Sequence, residues 1–182
     1  MSGEDPQAAS DAPLEVGDAA PEFAATLVTP EGETRETPFS ELLDRPVLLS
    51  FYTADFSPDC VREWCSFREF DWFASGDDVR VVGVSKSGPR LHRTFIDRLN
   101  LKFPLYADTD LAVSEAFGVA YRTLGVFRRS RRSCFLVDED GEIRYRWLGE
   151  HWLDPTRDTP PVSEIHDAIR AELGDEPETF GF

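Results

Sequence analysis

Thr53, Ser57, Cys60, Glu63 and Cys65 crowd into one stretch, Phe51-Tyr52-Thr53-Ala54-Asp55-Phe56-Ser57-Pro58-Asp59-Cys60-Val61-Arg62-Glu63-Trp64-Cys65. The stretch opens apolar, breaks at a turn and restarts at Ser57-Pro58. Ser57 is a natural N-cap, and proline suits the first helical position, where its missing N–H costs nothing. Cys60 then falls in the first turn of a helix. Unpaired backbone N–H groups and the positive end of the helix dipole lower a thiol's pKa there and favour a nucleophilic thiolate. As N-cap, Ser57 would accept from the Cys60 N–H through its side-chain oxygen, holding hydroxyl and sulfur together with room for a small substrate oxygen. Asp59 places an anion beside the thiolate, so a cation must outweigh it.

That cation is expected from far along the chain. Arg128-Arg129-Ser130-Arg131-Arg132 runs directly into the apolar segment Ser133–Val137. An arginine at a strand's start can reach across the strand ends to the start of the Cys60 helix, and its fork can grip two oxygens. The run as a whole reads as a solvated basic turn pairing with surface acids, with one member turned to the thiol. Cys134 lies on the same strand face as Arg132 and reads as buried. No C-x-x-C pair is present, against a disulfide exchanger of that kind. His92, His151 and His166 show no metal-ligand spacing with the cysteines, so neither metal nor cofactor is expected.

The elements that must position these groups alternate along the chain. Residues 1–13 read as a disordered acidic tail and 174–182 as a loose C-terminal one, leaving a single domain over 14–173. Ala24–Val28 and Glu33–Thr37 flank Pro30-Glu31-Gly32 as an N-terminal hairpin. Val47–Tyr52 is a continuous apolar run, as expected of a strand buried on both faces. A helix from Pro58 to about Ala74, closed by Ser75-Gly76, leads to a second buried strand, Val79–Ser85. A helix over Arg90–Leu99 follows, then a short strand Phe103–Tyr106, which Pro104 places at an edge or a strand start. A short helix Leu111–Phe117 comes next, then a hairpin of Ser133–Val137 with Glu142–Leu148, and an amphipathic helix Val162–Leu173. The aromatics Trp64, Phe67, Phe70, Trp72 and Phe73 are too many for one helix face, and core packing is the plain reading of most. The sum is an α/β protein of thioredoxin-like layout, a central mixed sheet flanked by helices with an added N-terminal hairpin.

Composition narrows the partners. The 182 residues carry 35 Asp and Glu against 19 Lys and Arg, a net charge of −16, which argues against nucleic acid or anionic membrane. Lys86 and Lys102 are the only lysines. Many carboxylates with almost no lysine suggest a high-salt cytoplasm that screens self-repulsion. The opening residues hold no basic region or apolar run, and no stretch approaches a membrane span, so a cytoplasmic location is expected. Three cysteines do not make a secreted disulfide framework.

Taken together, Phe51-Tyr52-x-x-Asp55-x-Ser57-Pro58-x-Cys60-x-x-Glu63-x-Cys65-x-Phe67-Arg68 resembles the active-site segment of the peroxiredoxins, most closely the bacterioferritin comigratory protein or peroxiredoxin Q branch. The resemblance extends from Val16-Gly17-Asp18-x-Ala20-Pro21-x-Phe23 through Val82–Ser85 and Leu101–Asp108 to Arg132–Gly141. It implies a thiol peroxidase acting on hydrogen peroxide or organic hydroperoxides, recycled by thioredoxin or a similar dithiol, as a monomer or homodimer. Cys60 matches the peroxidatic cysteine, Ser57 the peroxide-binding hydroxyl, Arg132 the activating arginine and Glu63 the acid that holds it. Thr53 stands where the family has proline, a residue that shields the thiolate and shapes the pocket. The alternative is a thioredoxin-fold redox sensor or binding module with little turnover.

Within that resemblance Cys65 is the resolving thiol; otherwise it is a core cysteine beside Trp64. Five helical residues separate Cα atoms by about 7.5 Å of rise and about 140° of turn, roughly 8–9 Å in all. A disulfide needs less than about 7 Å. The first turn or two must therefore unwind before Cys60 and Cys65 can bond.

Overall fold

The computed structural model describes residues 12–69, 78–123, 126–149 and 160–173. Its strands are β1 (Ala24–Val28), β2 (Thr34–Pro38), β3 (Val47–Phe51), β4 (Arg80–Ser85), β5 (Leu105–Ala107), β6 (Ala120–Thr123), β7 (Phe127–Ser130), β8 (Ser133–Val137) and β9 (Ile143–Leu148). Its helices are α1 (Pro58–Glu69), α2 (Pro89–Leu99), α3 (Ala112–Ala116) and α4 (Val162–Leu173), with a 3-10 turn at Phe39–Leu42. Seven strands form one mixed sheet in the order β2-β1-β5-β4-β3-β8-β9. β4 runs parallel to both β3 and β5, while β8 is antiparallel to β3.

The continuous apolar runs explain the centre of this sheet. All five residues of β3 and all five of β8 are buried. Side chains alternate across a strand, so each contributes to two cores. Leu48, Cys134 and Leu136 face α1, α2 and α4, packing with Trp64, Phe67, Phe95, Ile165 and Ile169. Leu49, Phe51, Phe135 and Val137 face the 3-10 turn and α3, packing with Phe39, Val113 and Phe117. The result is a three-layer α/β arrangement with Cys60 at the end of β3, where strand gives way to α1.

Gly83 sets how closely α1 can approach. A Cβ there would lie 2.6 Å from both Trp64 Cζ2 and Leu105 Cδ2. The bare backbone of β4 lets the Trp64 indole lie on the sheet, and that indole seats the helix carrying Cys60, Glu63 and Cys65.

Several sequence expectations shift in detail. β5 lies inside the sheet between β1 and β4, and Pro104 directly precedes it, so the strand-start alternative holds and the edge does not. The largest correction concerns the basic run. Arg128–Ser130 belong to β7, which pairs with β6 in a separate two-stranded hairpin. A run of Arg and Ser gives no apolar signal for a strand, and its pairing is local to that hairpin. Trp64 and Phe67 are core residues, whereas Phe70, Trp72, Phe73, His151 and the expected end of the α1 helix lie outside the described residues. So do residues 1–11 and 174–182; Leu14, where the domain was expected to begin, donates its N–H to Phe117 O at 3.1 Å. Among the described residues, no helix is long and apolar enough to cross a membrane.

Candidate active site

α1, β3 and the link between β7 and β8 converge on Cys60. α1 begins as expected: Cys60 N donates to Ser57 Oγ at 3.4 Å, and Val61 N donates to Ser57 O at 2.9 Å. Arg132, in the link between β7 and β8, turns inward and is 1 % exposed. Its Nη2 donates to Cys60 Sγ at 2.8 Å and its Nη1 to Glu63 Oε2 at 2.5 Å. Glu63, one helical turn after Cys60, accepts through its other oxygen from Ser50 Oγ on β3 at 2.7 Å. A carboxylate with no exposure is thus paired and hydrogen-bonded on both oxygens, the condition under which such burial is tolerated. The rest of the basic run faces elsewhere: Arg128 pairs with Glu115, and Arg131 Nε donates to Gly149 O at 2.6 Å.

The electrostatics correct one expectation. Burial leads, with the Glu63 charge second, in pushing the Cys60 thiol above its ordinary range; Arg132 and the Ser57 hydrogen bond pull it down without overcoming them. A helix start lowers a thiol's pKa when the site is open to solvent, and here the sulfur is fully buried beside a carboxylate. Burial likewise raises the Glu63 carboxyl to about 7, against the pull of Arg132 and Ser50. One buried cation thus faces two groups that can each be anionic.

Cys65 lies partly exposed on the same helix, and Cys60, Cys65 and Cys134 are all free thiols. Cys134 is buried as expected, 3.5 Å from Ser50 Oγ, with burial pushing its thiol well up. Thr53 follows β3; its Oγ1 is buried with no hydrogen-bond partner, as is Arg132 Nε. Two groups had escaped sequence reasoning. Ser50 hides in an apolar run, where nothing marks its hydroxyl as aimed at Glu63. Asp55 and His92 form a buried pair, with Nδ1 and Oδ2 2.6 Å apart. His92 had been weighed only as a metal ligand. A separate cleft of about 420 Å³ lies by Arg80 and Pro104, at the opposite strand ends; of its three cations, Arg35 and Arg80 already pair with Glu41 and Asp44, and Lys102 donates to Asn100 Oδ1.

Comparison with known proteins agrees with this geometry. Residues 16–146 match the AhpC/TSA family profile. The chain is 37% identical over 137 residues to a Coxiella burnetii protein designated a peroxiredoxin, bcp, covering 74% of this chain and 88% of that one. The chain belongs to the peroxiredoxin family. It is 33% identical to peroxiredoxin Bcp of Bacillus subtilis over 138 residues, 74% of this chain and 85% of the relative. The fold matches crystalline peroxidoxin BcpB of Mycobacterium tuberculosis with a TM-score of 0.70 at 24% identity, over 90% of this chain and 99% of the other. The thioredoxin-like peroxiredoxin fold and thiol-dependent peroxidase activity expected from the sequence both stand.

Proposed function

We propose that Cys60 is the peroxidatic thiol of this peroxiredoxin and Cys65 the thiol that resolves it. The observation that carries this is Arg132 Nη2 at 2.8 Å from Cys60 Sγ, at a helix start that also bears Ser57. Cys60 sulfur attacks one oxygen of H2O2 or ROOH. An S–O bond forms and the O–O bond breaks. Sulfur is oxidised by two electrons to sulfenic acid, and the other oxygen leaves as water or alcohol with the proton the thiol gives up. Arg132, Ser57 and the Cys60 amide face the charge that develops as the O–O bond lengthens. Glu63, hydrogen-bonded to both Arg132 and Ser50, keeps the guanidinium in place beside Sγ through this step.

Resolution follows as Cys60–SOH and Cys65–SH condense to a disulfide and water. Both cysteines lie in α1, too far apart to bond on an intact helix, so its first turns unwind. A dithiol such as thioredoxin then returns both thiols and becomes a disulfide itself. The proposal takes the catalytic domain to be 14–173, working in a high-salt cytoplasm as a monomer or homodimer. The acidic composition and scarce lysine support the salt environment.

A slow redox sensor is the second reading, favoured by the unpartnered Thr53 hydroxyl at the position where the family resemblance implies proline. Purified protein in high salt, with H2O2, thioredoxin, its reductase and NADPH, separates the two. Steady NADPH consumption that Cys60→Ser abolishes supports the peroxidase; a single stoichiometric oxidation without turnover supports the sensor. Intact mass after peroxide then reports whether Cys60 and Cys65 are joined.

A further inference from the structure

The turn that presents Cys60, Thr53–Ser57, is tied down by a buried polar network with no part in the chemistry. The Asp55 side chain has no exposure, and neither has that of His92. Asp55 Oδ1 accepts from Tyr52 Oη at 2.6 Å, and Asp55 Oδ2 lies 2.6 Å from His92 Nδ1. His92 Nε2 is 3.0 Å from Tyr106 O. A carbonyl can only accept, so Nε2 carries a proton and donates, and the hydrogen bond between Nδ1 and Oδ2 closes the bridge. Asp55 N also donates to Ser87 Oγ at 3.0 Å, and Ser87 N donates to Ser85 Oγ at 3.2 Å. The turn is thereby fastened to β3, β4, β5 and α2 at one residue.

The next residue is its opposite. Phe56 has φ +63°, a left-handed conformation that is strained for a bulky side chain. It is 39% exposed, and its ring rests edge-on against Phe95 at 5.0 Å. Chain held in strain immediately after a rigid anchor is where unwinding starts. We propose that Asp55 and His92 are positioning residues that hold the Cys60 turn closed and fix the upstream limit of the segment that unwinds for resolution, at Phe56. The disulfide-forming part rests on the assignment of Cys65 above. The closed turn presents Cys60 to Arg132; the released turn, Phe56 to Trp64, carries Cys60 toward Cys65 while Tyr52–Asp55 stays fastened.

The test compares wild type with His92→Leu, which removes the bridge, His92→Asn, whose amide can still donate to Asp55, and Tyr52→Phe, which removes one bond. Stopped-flow and quenched mass spectrometry give the rate of Cys60 oxidation, the rate of Cys60–Cys65 closure, and the fraction of Cys60 trapped as sulfinic acid at high peroxide. Loosening the anchor by one hydrogen bond or ion pair speeds closure about tenfold in His92→Leu and about threefold in Tyr52→Phe. Sulfinic acid falls in proportion, the first oxidation changes less than threefold, and His92→Asn lies close to wild type. Hydrogen exchange of the reduced protein accelerates over Phe56–Trp64 and not over β3. A purely structural role would slow oxidation and closure together and leave their ratio unchanged, and that result overturns the proposal. If His92→Leu does not fold, Tyr52→Phe and Ser87→Ala decide by the same ratio. If wild type forms no Cys60–Cys65 disulfide, the resolving assignment fails alone, and exchange with sulfinic-acid trapping still decides on the anchor.

Discussion

Arg132 Nη2 meets Cys60 Sγ at 2.8 Å although 72 positions separate the two residues. One guanidinium serves both this sulfur and the Glu63 carboxylate, so its second nitrogen arm orients the first. The contact exists because β8 lies antiparallel beside β3, Phe51 opposite Ser133, which brings the residue before β8 to the strand end that feeds α1.

Arg132→Lys should lower the second-order rate of peroxide reduction by about 10²-fold, because an ammonium cannot hold Glu63 and Sγ in one plane. Competition kinetics against a reference thiol peroxidase measure this. A rate within twofold of wild type would show that charge alone suffices.

Glu63→Gln should bring the Cys60 thiol down, since the Glu63 charge is one of the causes holding it up. Thiolate absorbance during a pH titration reads the direction. The same variant tests linkage. The folded carboxyl titrates near 7 against an ordinary 4.5, so the native state keeps a proton the unfolded state has lost, and wild-type stability falls as pH rises through that window. Urea unfolding at the two ends should differ by about 3 kcal/mol more for wild type than for the variant. Parallel pH profiles would sink the assignment.

Gly83→Ala should cost about 1–3 kcal/mol, because its methyl would meet Trp64 and Leu105. The displaced helix should also separate Cys60 from Arg132, so peroxide reduction falls in step. Thermal unfolding with the rate assay checks both; lost stability with full activity would mean α1 is seated by other contacts.

Thr53→Val keeps the shape and removes a buried hydroxyl with no protein partner. It should stabilise the reduced protein by about 1 kcal/mol and slow H2O2 reduction about fivefold, the worth of one hydrogen bond to the peroxide. Unchanged kinetics would leave that hydroxyl without a role in binding. Thr53→Pro shows in the same assay what a ring without a hydroxyl does at this position.

Local rules carried the sequence reading a long way. Ser57-Pro58 announces a helix start and so fixes the cap, the first-turn thiol and the Cys60–Glu63 spacing, because these depend only on neighbours in the chain. The unbroken apolar runs of β3 and β8 announce strands buried on both faces. The motif around Cys60 identifies the family. Three things were decided only in three dimensions. That Arg132 reaches Cys60 and Glu63 with one guanidinium depends on the β3–β8 pairing. The direction of the Cys60 thiol's shift depends on burial and on Glu63, neither of which a helix start reveals. Ser50, Asp55 and His92 become partners of the site only when packing removes water and leaves each polar group one another to satisfy. Hydrogen bonds between distant residues leave no periodic trace in a sequence, so the chemistry of Cys60 was legible there and its restraint was not.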